Sequence, residues 1–142
     1  MTEKEMRKSV VGVLTNLMAF SVENSVGAGM GDIACTLGWI ELKVGDRPKR
    51  EDTRVVFSMR PSQRTWHRQW RERGGRSWTL SYLHAGRDML GVWLLHDGAW
   101  SADHMDLVDE QVLVSKSIGS SIELTGAILT KWLLRPTIYV KD

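Results

Sequence analysis

Gly31-Asp32-Ile33-Ala34-Cys35-Thr36-Leu37-Gly38-Trp39-Ile40-Glu41-Leu42-Lys43 is the stretch on which the fold turns. It reads as a tight β-hairpin, with Ile33 to Thr36 as a short strand, Leu37-Gly38 as the turn and Trp39 to Val44 as the returning strand. Alternate residues of a strand face opposite sides, so Glu41 and Lys43 share one face while Ile40 and Leu42 share the other. Asp32 enters the first strand within cross-strand reach of Glu41. Two carboxylates and an ammonium then converge at one end of a small sheet. Carboxylate oxygens suit a hard divalent cation such as Mg2+ or Mn2+, and an amine beside them can hold and activate a water.

Upstream, residues 2 to 20 read as an amphipathic helix with Thr2 and Glu5 as a capping box and Met6, Val10, Val13, Leu14 and Leu17 as its buried stripe. Glu3 lies on that stripe, whereas Glu5 does not and is better explained as a cap. Ser21 to Met30 is a Gly-, Ser- and Asn-rich approach to the hairpin, and Glu23 within it is a weaker third acid. Downstream, Gly45 to Ser58 is a polar, basic loop carrying Arg47, Lys49 and Arg50, with Val55-Val56-Phe57 as a short strand or apolar anchor.

Residues 61 to 73 form the second informative element. Pro61 suits a first helical turn and Gly74-Gly75 a C-terminal cap. Gln63, Trp66, His67 and Trp70 make one stripe that should pack on the sheet, with His67 read as a core residue; Arg64, Arg68 and Arg71 line a different face. Ser77 to Leu83 and Met89 to Leu95 follow as strands, the first alternating Trp78, Leu80 and Tyr82. The helix therefore crosses over between strand 39–44 and strand 77–83, as in an α/β sheet. His96-Asp97, Asp103-His104 and Asp106 are read as loop polarity rather than as a metal cluster. Residues 112 to 118 form a further strand, and a last helix runs from Ser120 or Ser121 to Trp132, with Pro136 ending it. Packing accounts for most of the seven Trp, and Trp100 is a candidate to stack on an unpaired base.

At 142 residues the chain is expected to fold as one domain. It has no apolar run of membrane-spanning length, and its start lacks a signal-peptide core. The single Cys35 permits no internal disulfide, so a reducing, cytoplasmic setting is expected. The net charge of +2 hides a segregation: residues 47 to 76 sum to +7, against −2 before them and −3 after. That block is an electrostatic footprint for a polyanion.

Asp32, then Glu41-Leu42-Lys43 across a hairpin, resembles the PD-(D/E)XK nuclease superfamily; Pro61-Ser62-Gln63 with Gly74-Gly75 behind it resembles the VRR-NUC branch. The resemblance covers residues 2 to 95 and departs at Gly31, where the family usually has Pro. It implies a restriction-endonuclease-like α/β core, a mixed central sheet flanked by helices, with residues 96 to 142 as an extension that completes the core or makes a dimer interface. It implies a Mg2+- (or Mn2+-) dependent DNA endonuclease, with Asp32, Glu41 and the Leu42 carbonyl as metal ligands and Lys43 as the residue that serves the attacking water. Gln63 would be an accessory polar residue, and Glu3 or Glu5 would be the additional acid on the first helix, Glu3 being the better placed. Arg47, Lys49, Arg50, Arg64, Arg68 and Arg71 would grip DNA phosphates without reading sequence. Small members of this branch resemble phage-encoded Holliday-junction resolvases that act as homodimers, and a plain flap or duplex nuclease remains open. Two other classes also stay open: a nucleic-acid-binding module on the same fold without cleavage, and an interaction protein whose charges are a solvated surface.

Overall fold

The computed structural model describes residues 2–22, 32–46, 59–84, 92–104, 112–114 and 126–134. Thr2 and Glu5 form the reciprocal capping box, Thr2 Oγ1 accepting from the Glu5 N–H and Glu5 Oε2 from the Thr2 N–H. The helix that follows, α1 (Glu3–Val13), is shorter than its apolar stripe predicts. A 3-10 turn at Thr15–Leu17 tightens its end, and Met18 takes a left-handed conformation that turns the chain into β1 (Phe20–Ser21).

The hairpin forms, one position away from its expected turn: β2 is Ile33–Cys35, β3 is Gly38–Asp46, and Thr36-Leu37 make the turn. Gly38 pairs with Cys35 at φ +152°, and any side chain there would strike the Arg76 carbonyl, so glycine is required as the first residue of β3. Next, α2 (Pro61–Glu72) carries the chain over to β4 (Ser77–His84), which pairs with β3 in parallel from Trp39↔Ser77 to Asp46↔His84. The remaining elements are β5 (Val92–Asp97), α3 (Gly98–His104), β6 (Val112–Val114) and α4 (Gly126–Leu133). His96 and Asp97 thus belong to a strand, correcting the loop expected there; β4 supplies a full antiparallel partner through Trp78↔Asp97. The last helix is described over Gly126–Leu133, its expected start at Ser120 or Ser121 lying outside the described residues, and the missing side chain of Gly126 lets α4 approach the Val13 carbonyl.

The described strands form one mixed sheet in the order β1-β2-β3-β4-β5-β6, in which only the β3–β4 pair is parallel. Strand alternation divides it into two unlike faces. Ile33, Ile40, Leu42, Trp78, Leu80, Tyr82, Trp93 and Leu95 meet Met6 and Val10 of α1, Leu14 that caps it, and Leu129 and Leu133 of α4 in the apolar core. Residues after 96 therefore help complete that core. The opposite face, beneath α2 and α3, carries Glu41, Lys43, Ser77, Thr79, Ser81 and His96. None of the described helices is long and apolar enough to cross a membrane.

Candidate functional site

The site grows from the β2–β3 hairpin. The antiparallel register Ile33↔Ile40, carried one residue further, sets Asp32 opposite Glu41. Asp32 Oδ2 accepts a hydrogen bond of 2.8 Å from the Leu42 N–H. The N–H and C=O of one strand residue face the same neighbour, so the Leu42 carbonyl opens on the edge that Asp32 occupies. Asp32 Oδ1 lies 3.2 Å from Arg7 Nη2, and Arg7 in turn stands 3.8 Å from Glu3 Oε1 on α1.

Glu41 and Lys43 project beneath α2 because they sit two apart on one strand. Pro61 starts α2 with Gln63 in its first turn. Gln63 Oε1 accepts 2.9 Å from the Arg60 N–H and 3.2 Å from Lys43 Nζ, while its Nε2 donates to Glu41 Oε1. Lys43 Nζ lies 3.7 Å from the same carboxylate oxygen. Gln63 thereby fixes the helix start, the carboxylate and the ammonium together. Glu41 is only 3% exposed, and its Oε2 is buried without a hydrogen-bond partner. Burial pushes its carboxyl up to about 8, the negative charge of Asp32 adds to the rise, and Lys43 opposes it. Glu3, half exposed, contributes a smaller push in the same direction, so its charge is felt at the site.

No family model, curated protein or solved structure matches the chain.

Asp32, Glu41 Oε2 and the Leu42 carbonyl offer only oxygen donors. Among the described residues no group of three or more His, Cys, Asp or Glu closes into an all-protein cage. Mg2+ does not ask for one: it keeps several waters and is commonly held through one or two carboxylates plus phosphate oxygens of a substrate. The orphaned Glu41 Oε2 beside Asp32 fits that mode of binding.

The arginines of α2 have duties inside the fold. Arg64 Nη1 and Arg68 Nη2 donate to the Ala102 carbonyl in α3 at 2.8 and 3.2 Å, and Arg71 Nη1 meets Asp97 Oδ2 at 2.9 Å. Asp97 also accepts from the Trp100 N–H, which caps α3. Trp100 stacks on His96 at 5.0 Å. Trp66 and Trp70 stack on each other at 5.1 Å and meet Trp39 edge-on. His67 is a fully buried residue whose Nδ1 lies 2.7 Å from Ser77 Oγ, in keeping with a core position. Arg47, Lys49, Arg50, Glu23 and Asp106 lie outside the described residues.

Sequence reasoning missed Arg7 and the polar row of β4. Arg7 carried a signal in its i, i+4 spacing from Glu3. Ser77, Thr79 and Ser81 carried a misleading one: their alternation with Trp78, Leu80 and Tyr82 reads as a solvent face, yet all three are buried under helices.

Proposed function

We propose that this protein is a divalent-metal-dependent nuclease that hydrolyses phosphodiester bonds in DNA, built on a restriction-endonuclease-like core of the PD-(D/E)XK kind, close to the VRR-NUC branch. The observation that carries the reading is one buried network: Gln63 bonds both Glu41 Oε1 and Lys43 Nζ, beside an Asp32 held by the Leu42 N–H.

Asp32, Glu41 and the Leu42 carbonyl would hold Mg2+ or Mn2+, which supplies Lewis-acid polarisation of the scissile phosphate and makes a bound water more acidic. Lys43 does the protein's share at the reacting centre. Its Nζ, 16% exposed at the side chain and tethered by Gln63, orients the attacking water and faces the negative charge that grows on the phosphate. A tether of this kind limits rotamer freedom, so the ammonium needs little rearrangement when charge develops. Glu41 stays aligned through Gln63 instead of through solvent. Glu3 adds negative potential from α1. Arg47, Lys49 and Arg50, with the α2 arginines, supply positive potential along the path of the DNA backbone. A homodimer acting on branched DNA is the substrate form we favour, since a twofold pair of sites matches a symmetric junction.

The test is cleavage of a panel of four-way, flapped, single-stranded and linear DNA in Mg2+ or Mn2+. Wild-type protein should cut at least one of these and fall silent with EDTA. Lys43→Ala, purified as a folded protein, should lose about 100-fold or more in rate. Equal cutting by wild type and Lys43→Ala would overturn the assignment.

A further inference from the structure

The parallel register places Thr79 beside Glu41, and the antiparallel register places His96 beside Thr79. Glu41, Thr79 and His96 therefore form a straight rung across three neighbouring strands, about 10 Å from end to end at the usual strand spacing. All three face α2 and α3, and all are buried, at 3%, 0% and 3% exposure. Glu41 Oε2, Thr79 Oγ1 and both ring nitrogens of His96 lack a hydrogen-bond partner. The next rung repeats the pattern with Ser81 Oγ beside Lys43, and from above His67 Nε2 is likewise unpartnered.

A buried polar atom left dry costs free energy, and natural interiors keep only a few such atoms, scattered rather than clustered. Six such atoms in adjoining positions are too many to leave dry. Even a direct hydrogen bond between Thr79 and Glu41 would leave both His96 nitrogens unmet. Bridging molecules with several hydrogen bonds each can satisfy the whole row, and water is the one small enough to sit among these side chains on the face of the sheet.

We propose that Thr79 and His96 are positioning residues of the site: with Glu41 they form a polar rung that holds ordered water against Glu41 Oε2 and fixes that carboxylate for a divalent cation. Gln63 restrains Oε1 from the helix side, and the rung restrains Oε2 from the sheet side. The water itself rests on burial and register; its role toward a cation rests on the proposed function.

Two measurements test this, neither of which requires DNA cleavage. A high-resolution crystal structure of the metal-free protein should show a water within hydrogen-bond distance of both Glu41 Oε2 and Thr79 Oγ1, and a second at His96. Calorimetric titration with Mn2+ should give about ten-fold weaker binding for Thr79→Val, a variant of nearly the same shape without the hydroxyl, and recovery for Thr79→Ser. His96→Phe, which keeps the stack on Trp100, should weaken Mn2+ binding about threefold and serves as the probe if Thr79→Val fails to fold, unchanged affinity in it then overturning the proposal. A dry rung whose atoms pair directly overturns the proposal. So does a Thr79→Val protein with unchanged Mn2+ affinity, or wild-type protein that takes up no Mn2+. A wild type that binds Mn2+ and holds the waters yet cuts no DNA would instead sink the nuclease reading and leave the rung intact.

Discussion

Glu41 is where burial and charge compete most sharply, and the outcome sets a pH signature. Its folded carboxyl is raised by burial, then by Asp32, to about 8, against an ordinary value of 4.5. The folded chain thus keeps a proton that the unfolded chain gives up. The stability this contributes is present in full below about 4.5 and is lost as pH rises through 8. His67 and His96 work in the opposite sense: burial, joined at His67 by the charge of Lys43, lowers both from 6.5 to about 4. Their contribution is present above 6.5 and lost as pH falls through 4. Metal-free protein should therefore be most stable near pH 6.5 to 7, with a decline on the alkaline side of at most about 1.4 kcal/mol per pH unit. Denaturant titrations across pH check this. Glu41→Gln should flatten the alkaline limb and His96→Gln should soften the acid one; a Glu41→Gln profile parallel to wild type would mean that Glu41 is ionised in the fold. Gln63 gives a second prediction at this scale. Gln63→Leu removes the bonds to both Glu41 Oε1 and Lys43 Nζ. It should cost about 1–3 kcal/mol in stability, because the buried Glu41 carboxyl and the Arg60 N–H lose their hydrogen-bond partner, and it should lower cleavage more than Arg73→Ala at the far end of α2.

Elements were legible in the sequence where one periodicity had one cause. Pro61 and Gly74 bracketed α2 correctly, and the shared face of Glu41 and Lys43 followed from alternation, whereas Asp32 directly opposite Glu41 depends on the Thr36-Leu37 turn, one position from the expected one. The end of α1 was not legible, because Leu14 and Leu17 continue the apolar stripe into a 3-10 turn that packs on the same core. Burial of β4 on both faces was illegible for a different reason: hydroxyl side chains read as solvent-facing until α2 and α3 are known to lie over them. The α2–α3 layer also depends on a residue that no pattern marks. A Cβ on Gly98 would collide with Ser77 Oγ and His67 Nδ1, so α3 starts on glycine because the His67–Ser77 hydrogen bond lies directly below. Gly98→Ala should force α3 outward or break that bond, at a cost of about 1–3 kcal/mol. Equilibrium unfolding gives the size, and loss of near-ultraviolet circular dichroism from the Trp100–His96 stack gives the place. A variant as stable as wild type would show that α3 sits further from the sheet.

At the scale of the whole molecule, the two faces of the sheet divide the labour. The apolar face, closed by α1 and α4, supplies the burial that holds the fold, with a fully buried Leu or Ile such as Leu80 or Ile40 worth about 1.5–3 kcal/mol each. The polar face, closed by α2 and α3, holds ionisable groups out of solvent and ends at the Asp32–Glu41–Lys43 corner. The proposed site thus lies on β3 upstream of its end at Asp46, and the residues that follow in sequence, 47 to 76, carry +7. Arg64, Arg68 and Arg71 of that block are engaged with α3 and Asp97, so the α2 arginines serve the fold whatever else they meet. Arg47, Lys49 and Arg50, next to the end of β3, are the cations from which most of the polyanion affinity is expected. Each phosphate contact contributes about 1 to the slope of log affinity against log salt. Replacing all three by alanine should therefore lower that slope by about 3, measured by fluorescence anisotropy on labelled DNA from low to moderate salt. Arg64→Ala should act differently, loosening α3 and lowering the melting temperature with less change in slope. If the triple variant keeps the wild-type slope, DNA does not contact Arg47, Lys49 and Arg50, and the electrostatic half of the functional reading fails while the proposed metal ligands remain to be judged by their own variants.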